Sequence, residues 1–332
     1  MKQYHAIDFM RFIAAIFVVF IHTYPLFDFS PTANYFIVGV IGRLAVPFFF
    51  IVSGYFFAKN LVSQATIINK QNYVRKYSKR LCKIYIIWTL IYLPLQALIW
   101  YLKDGNLEFW KLYLQKLIFE GSYYTLWFIP ALIFACIFSN FLFSIMKPKT
   151  VLTFTFLLYI FGTLLQSYAD VFPFTANFTD YYSAFLTTRN GLFFGSLFVS
   201  IGIYLAKEES KQSFISNQIL FFLSFIGLTL EAYLMYDVPF TKGFGMWFML
   251  PPTVYFLFCY LKDIPLRNSY LYKWFRPLSF LIYVSHGLFM LILSPFNIHS
   301  FVYSTLVTVA SISLSIAILV LGKRYTIVKN LY

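Results

Sequence analysis

Arg11 and His22 bracket ten uncharged residues in the stretch RFIAAIFVVFIH, which lies inside a longer apolar run. Histidine titrates near neutrality, so it suits general-base work, and arginine holds anions. Eleven residues at about 100° each make three turns with little remainder, which puts both side chains on one helix face roughly 16 Å apart. Asp8, three residues before Arg11, lies near the same face and is placed to pair with it. Spacing by itself leaves a second possibility open. Any two residues eleven apart align this way, so an interfacial arginine and a carbonyl-bonded histidine fit equally well.

Further chemistry-bearing residues follow. GRLAVPFFFIVSGYFF (42–57) holds Arg43 within an apolar run, Pro47 to open the backbone ladder, and Ser53-Gly54-Tyr55 where helices can approach closely. Arg43 beside these residues favours a polar cavity. VRKYSKRLCKIYIIW (74–88) carries Arg75, Lys76, Lys79, Arg80 and Lys83 without an acid. Such a cluster contacts anionic lipid or docks the phosphates of a nucleotide-bearing substrate. Trp127 stands in YYTLWFIPAL (123–132), and Arg189 in TRNGLFFGSLFVSIG (188–202). Glu231 is an acid deep within an apolar run and needs a partner or a proton; Arg43 or Arg189 can supply the former. His286, in LSFLIYVSHGLF (278–289), lies roughly 12 Å into its run and shares a face with Tyr283. A lone histidine there is more often packed and hydrogen-bonded than catalytic.

The elements that must position these groups are membrane helices. The 332 residues are 60% hydrophobic and 11% charged, with a mean hydropathy of +0.72, whereas soluble domains carry about a quarter charged residues. The expected fold is an all-α integral membrane domain over 1–332 with about ten spans: 7–27, 35–57, 84–102, 123–146, 150–168, 189–206, 214–236, 244–262, 278–296 and 301–321. The first run has no small-residue cleavage site and a second run follows at once, so it reads as a retained span rather than a secretion signal. Nineteen lysines and arginines fall on one side of this arrangement and five on the other, which predicts that both termini are cytoplasmic. The net charge of +14 sits in short clusters between apolar runs, so membrane lipid is an expected contact and nucleic acid is not. Cys82, Cys136 and Cys259 are scattered, which predicts small buried apolar residues with neither disulfides nor a metal site. No repeat relates the two halves, which weakens an inverted-repeat transporter reading.

Arg-x10-His in the first span, R-x-x-VPFFF-x-x-SGY, basic residues before the third span (Arg80-x-x-Lys83), LWF and IYxxH together resemble the membrane acyltransferase-3 family. The stretch TRNGLFF is similar to the membrane domain fused to serine racemases of vancomycin resistance, although no racemase domain follows the tenth span here. The resemblance covers nearly the whole chain. It implies a multi-pass enzyme of the bacterial cytoplasmic membrane that moves an acyl group, usually acetyl, from cytoplasmic acyl-CoA to a hydroxyl of an envelope glycan or lipid-linked sugar. It further implies that His22 is the essential histidine with Arg11 its paired arginine. Arg80 and Lys83 match a CoA-associated Arg-x-x-Arg in which lysine replaces the second arginine and loses the bidentate fork. In this reading Arg11 and the Arg75–Lys83 cluster hold the CoA end, and the pantetheine arm runs along the helix face to His22. Arg43, Ser53 or Tyr55 then supports the oxyanion. A transporter of a small polar solute such as serine, as suggested for racemase-fused relatives, is the second reading. A scaffold would leave the two aligned ionisable groups of the first span unexplained.

Overall fold

A computed structural model describes residues 4–102, 113–117, 120–172, 175, 186–208, 213–241, 243–267 and 269–332. The regular elements of these residues are helices, with no β-strand among them. Helices satisfy their own backbone donors and acceptors, which hydrocarbon cannot do for them. In chain order they are α1 (His5–Thr23), α2 (Pro31–Phe36), α3 (Ala45–Val62), α4 (Ile67–Leu102), α5 (Phe128–Ile145), α6 (Pro148–Gln166), α7 (Ser196–Lys207), α8 (Phe214–Leu234), α9 (Leu250–Asp263), α10 (Tyr272–Leu293) and α11 (Ser300–Arg324). Eight helical runs among the described residues are long and apolar enough to cross a membrane.

Helix is present within each of the ten expected spans, but two are short. The run Gly191–Lys207 extends roughly 25 Å and α9 roughly 21 Å, against a hydrocarbon thickness of about 30 Å. Residue 244 was the expected start of the eighth span. Its helix begins six residues later because Gly243 and Gly245 adopt left-handed backbone (φ 85° and 106°) and Pro251-Pro252 fits only the first turn of a helix. The fourth span likewise starts late, at Phe128, after Gly121 (φ 86°) and a turn in which Leu126 donates to the Tyr123 carbonyl. The reverse correction applies to the basic segment. The third span is expected to start at 84 with the basic residues ahead of it, yet 67–83 are the opening turns of α4, which runs 36 residues, roughly 54 Å. No glycine or proline interrupts 67–93, so nothing stops the helix from extending backwards.

The chain divides into two compact units. The first comprises Met1–Phe49, Gln212–Tyr233 and Pro252–Tyr332. Its centre is α1 packed on α10 and α11. His5 stacks on Tyr272 (4.8 Å between centroids), Phe12 on Phe275 (5.0 Å) and His22 on His286 (5.5 Å), so α1 and α10 run parallel. Antiparallel α11 is fixed at one end by the Thr23 hydroxyl on Ser304 Oγ (2.7 Å) and at the other by Lys323 Nζ over the Trp274 ring (4.3 Å). The second unit comprises Phe50–Lys211 and Leu234–Pro251. Its core is an aromatic cluster in which Phe50, Trp127, Tyr159 and Phe198 surround Phe194. Within this unit an added Cβ at Gly202 would collide with the Ile51 carbonyl oxygen and one at Gly54 with that of Val199. The backbones of α3 and α7 therefore touch at reciprocal glycines, the close approach that Ser53-Gly54-Tyr55 predicted.

The stretch after α1 is tied back to the start of α11. The Ser300 amide donates to Asp28 Oδ2 (2.6 Å), the Asp28 amide donates to Ser300 Oγ (3.1 Å), and His299 Nδ1 lies 3.7 Å from the same carboxylate. A carboxylate at a helix N-terminus answers its unpaired amides and its dipole. The bond from the Ser300 backbone, foremost, holds the Asp28 carboxyl below its ordinary range. Its contribution to stability is therefore complete above the unfolded aspartate pKa of about 4 and is lost as pH falls through the lower folded value. The difference in melting temperature between wild type and Asp28→Asn is expected to be present at neutral pH and to close in stronger acid. A difference that persists unchanged in strong acid would remove the clasp from the stability of this unit.

Candidate active site

Arg11 and His22 both lie on the uninterrupted helix α1, so the shared face and roughly 16 Å separation hold. Arg11 Nη1 is 3.7 Å from Asp8 Oδ1, the expected i, i+3 pair. His22 occupies the last turn and is half-buried. The helix stops directly after it because Tyr24 turns left-handed (φ 50°), returns its amide to the Phe20 carbonyl, and is followed by Pro25. The imidazole thus sits at the exact end of a rod whose other neighbours are fixed. Thr23, next in sequence, is buried and pinned to Ser304.

Against His22 lies His286 of α10, fully buried, the two rings 25° from parallel. His286 Nδ1 is 2.6 Å from the Tyr283 carbonyl and 3.3 Å from that of Ile282. A packed, hydrogen-bonded His286 is what a lone histidine within an apolar run predicts, and these contacts agree. What that reading missed is the partner. Nothing in the spacing of one helix tells which other helix it meets, and these two residues belong to opposite ends of the chain.

Arg43 falls at a break in helical pitch within the continuous run Pro31–Val62. Ile37–Ile41 is a π-turn, Gly42–Leu44 a tight 3-10 turn, and α3 starts at Ala45. Pro47 supplies the reason: it has no amide for the Arg43 carbonyl and its ring crowds that position. Gly42 seats this break against α1, since a Cβ there would lie 2.9 Å from Ile21 Cγ1. Arg43 therefore follows a residue packed on the neighbour of His22. Wide turns of this kind recur at functional sites. Glu231 is in the last turn of α8, half-buried and in the same unit as Arg11, Arg43, His22 and His286.

The remaining predicted site residues belong to the second unit. Ser53 is half-buried, and Tyr55 is buried with Lys59 Nζ 5.6 Å from its ring. Trp127 packs against Phe50 and Phe194 and is part of the aromatic core. In TRNGLFF, Thr188 donates to the Gly162 carbonyl (2.7 Å) and Asn190 Oδ1 caps the amides of Leu192 and Phe193. Those two residues anchor and start a helical run.

A groove of about 900 Å³ runs along α4 and the end of α5. Lys70, Arg75, Lys79 and Lys83 line one part and Ile86, Ile87 and Ile137 another. The row Arg75, Lys79 and Lys83 repeats every four residues, so the helix brings the three cations to one face. Arg80 is absent from the lining, which separates it from Lys83 within the expected Arg80-x-x-Lys83 pair. Cys82 also lines the groove and is exposed, unlike buried Cys136 and Cys259. Cys82 thus departs from the buried role expected of all three.

These elements define a multi-pass, all-helical membrane protein with a histidine pair at the end of its first helix. The chain belongs to the acyltransferase-3 family, whose acyltransferase-domain profile matches residues 4–320. Among curated relatives, a serine/alanine racemase of Enterococcus gallinarum is 32% identical over 259 residues, 76% of this chain and 36% of the relative. Two amino-acid racemases of Enterococcus faecalis are 31% and 30% identical, across 77% and 87% of this chain and 35% and 41% of their own lengths. The chain thus spans well under half the length of these relatives. No solved structure matches it.

Proposed function

We propose that the protein is an O-acyltransferase that moves an acyl group, with acetyl the simplest case, from acyl-CoA to a hydroxyl of a cell-envelope glycan or lipid-linked sugar. The reading rests on His22, a half-buried imidazole at the end of α1 on the face of Arg11, in a chain of the acyltransferase-3 family. His22 removes the proton of the acceptor hydroxyl as its oxygen attacks the thioester carbonyl. The new C–O bond forms, the C–S bond breaks, and the proton passes from His22 to the departing thiolate. Arg43 is the candidate for stabilising the carbonyl oxygen while it carries charge. In this reading the chain crosses a bacterial cytoplasmic membrane about ten times with both termini on the cytoplasmic side, where acyl-CoA is made; the asymmetry of lysine and arginine between the two sides supports that orientation.

Phosphates of the donor bind the cationic row of the α4 groove. Arg75, Lys79 and Lys83 changed together to glutamine are expected to raise KM for acetyl-CoA about tenfold or more while kcat holds, because hydrogen bonds to charged phosphates act on binding. Arg80→Gln alone is expected to change KM little. Equal effects would return the donor site to the Arg80–Lys83 pair.

A transporter of a small polar solute such as serine is the second reading; the relative named serine/alanine racemase bears on the choice of serine as the solute to test. Purified protein in liposomes, given labelled acetyl-CoA on one side and a glycan acceptor on the other, separates the two. Label on the acceptor supports acyl transfer. Flux of serine with no CoA released overturns it.

A further inference from the structure

A cavity of about 230 Å³ lies where the end of α4 meets the turn that leads into α5. Gln96 of α4, Tyr113 and Lys116 of the helical residues 113–117, and Glu120, Tyr123 and Tyr124 of the turn line it. The fold holds these walls in place. The Tyr85 hydroxyl donates to the Leu117 carbonyl (2.6 Å) and ties 113–117 to α4. Buried Gln96 donates from Nε2 to the Ser122 carbonyl (2.6 Å) and ties the turn to α4 as well. Left-handed Gly121 lets the turn close, since a Cβ there would meet the Leu126 carbonyl carbon and the Trp127 nitrogen at 2.8 Å. Tyr123 stacks on buried Tyr92 (5.2 Å), and the Tyr124 ring lies 4.6 Å from that of Tyr123.

The lining has a definite chemistry. Tyr124 is 48% exposed, and the negative face of its ring complements the C–H groups along one face of a pyranose. With one N–H given to Ser122, the Gln96 amide still offers a second N–H and Oε1, the donor and acceptor that a hydroxyl needs. Lys116 and Glu120 are joined by the Glu120 amide on the Lys116 carbonyl (2.8 Å) and supply one charge of each sign. The balance favours an uncharged ring over a sugar phosphate or uronic acid. The volume is below the roughly 300–1,000 Å³ of pockets for drug-sized ligands, which limits the occupant to about one ring.

Building on the acyl-transfer reading, we propose that this cavity seats one uncharged hexopyranose residue of the acceptor glycan. With both termini cytoplasmic, as the lysine and arginine distribution predicts, the end of α4 and the start of α5 face the outside, where envelope glycans lie. Tyr124 takes the apolar face of the ring, and Gln96, Lys116 and Glu120 take its hydroxyls. Contacts that are the same before and during transfer act on the KM for the acceptor rather than on kcat.

Binding is measured without acyl-CoA, by saturation-transfer NMR on the protein in lipid nanodiscs free of glycoside detergent. The probes are methyl α-glucopyranoside and methyl N-acetyl-β-glucosaminide. Saturable binding of at least one is expected, with a Kd on the order of 1 mM for a ligand of this size. Tyr124→Ala is expected to weaken it roughly three- to tenfold, and Tyr124→Phe, which keeps the ring face, by less than about twofold. Gln96→Leu is expected to weaken it about tenfold or more. Should that variant not fold, the half-exposed Tyr124 pair carries the test. In the transfer assay Tyr124→Ala should raise the KM for the glycan acceptor by a similar factor while kcat holds. No binding of either pyranoside, equal binding by wild type and Tyr124→Ala, or displacement of the pyranoside by serine at lower concentration than by the sugar itself overturns the sugar site. Binding that depends on Tyr124, in a wild type that transfers no acyl group, keeps the sugar site and overturns the acyl-transfer reading alone.

Discussion

His22→Ala is expected to abolish acyl transfer, with a fall of about 10²- to 10⁴-fold, the usual contribution of a positioned general base. Without the imidazole, the acceptor hydroxyl must attack with its proton in place. The helix end itself does not depend on the ring. Its stop is set by left-handed Tyr24, by Pro25 and by the Thr23–Ser304 bond. The variant should therefore express, remain monodisperse and keep its melting temperature close to wild type, while labelled CoA turnover disappears. Transfer at the wild-type rate would sink the general-base mechanism.

Gly202→Leu is expected to have the largest effect on stability. A Cβ at this position already meets the Ile51 carbonyl oxygen, the Tyr55 amide nitrogen at 2.7 Å and the Gly54 carbonyl carbon at 3.1 Å. All three are backbone atoms of α3, and backbone cannot rotate aside as a side chain can. Accommodating any side chain means moving α7 off α3, and with it Phe198, which packs on Tyr159 and Phe194. Overpacking of a well-packed core costs about 1–3 kcal/mol, and a contact between two rigid backbones belongs at the upper end or above. In detergent this is a loss of about 5–10 °C in melting temperature. Gly54→Ala should act similarly, and the double variant should cost less than the sum, because helices once separated have room for both. Additive losses would show that the two glycines do not share one contact.

Some of this was legible in the sequence for a physical reason. Helical periodicity is local, so the alignment of Arg11 with His22 and the pairing of Asp8 with Arg11 could be read from one segment. Gly54 announced a close approach because its lack of a side chain has few other uses within a span. The basic segment misled. Lysine and arginine mark the aqueous side of a membrane but do not distinguish loop from helix, and the uninterrupted run before Pro94 forms helix. As a result the cationic row is Arg75, Lys79 and Lys83, a four-residue period that only the helix creates. The partnership of His22 with His286 was illegible because it depends on which helices meet. Trp127 stood in a suggestive motif yet lies in an aromatic core, a matter of neighbours rather than of sequence.

The pairing of α1 with α10 also bears on how the protein is made. Residues 24–271 lie between α1 and α10, so a nascent chain waits roughly 10–50 s between the two helices at 5–20 residues per second. During that interval Arg11 and His22 are already in or near the bilayer, without the surface that will bury their helix. Most of the second unit is encoded in a single stretch, 50–211, and can assemble while the first is still incomplete. A chain cut short before α10 has His22 but not the His286 ring that packs against it.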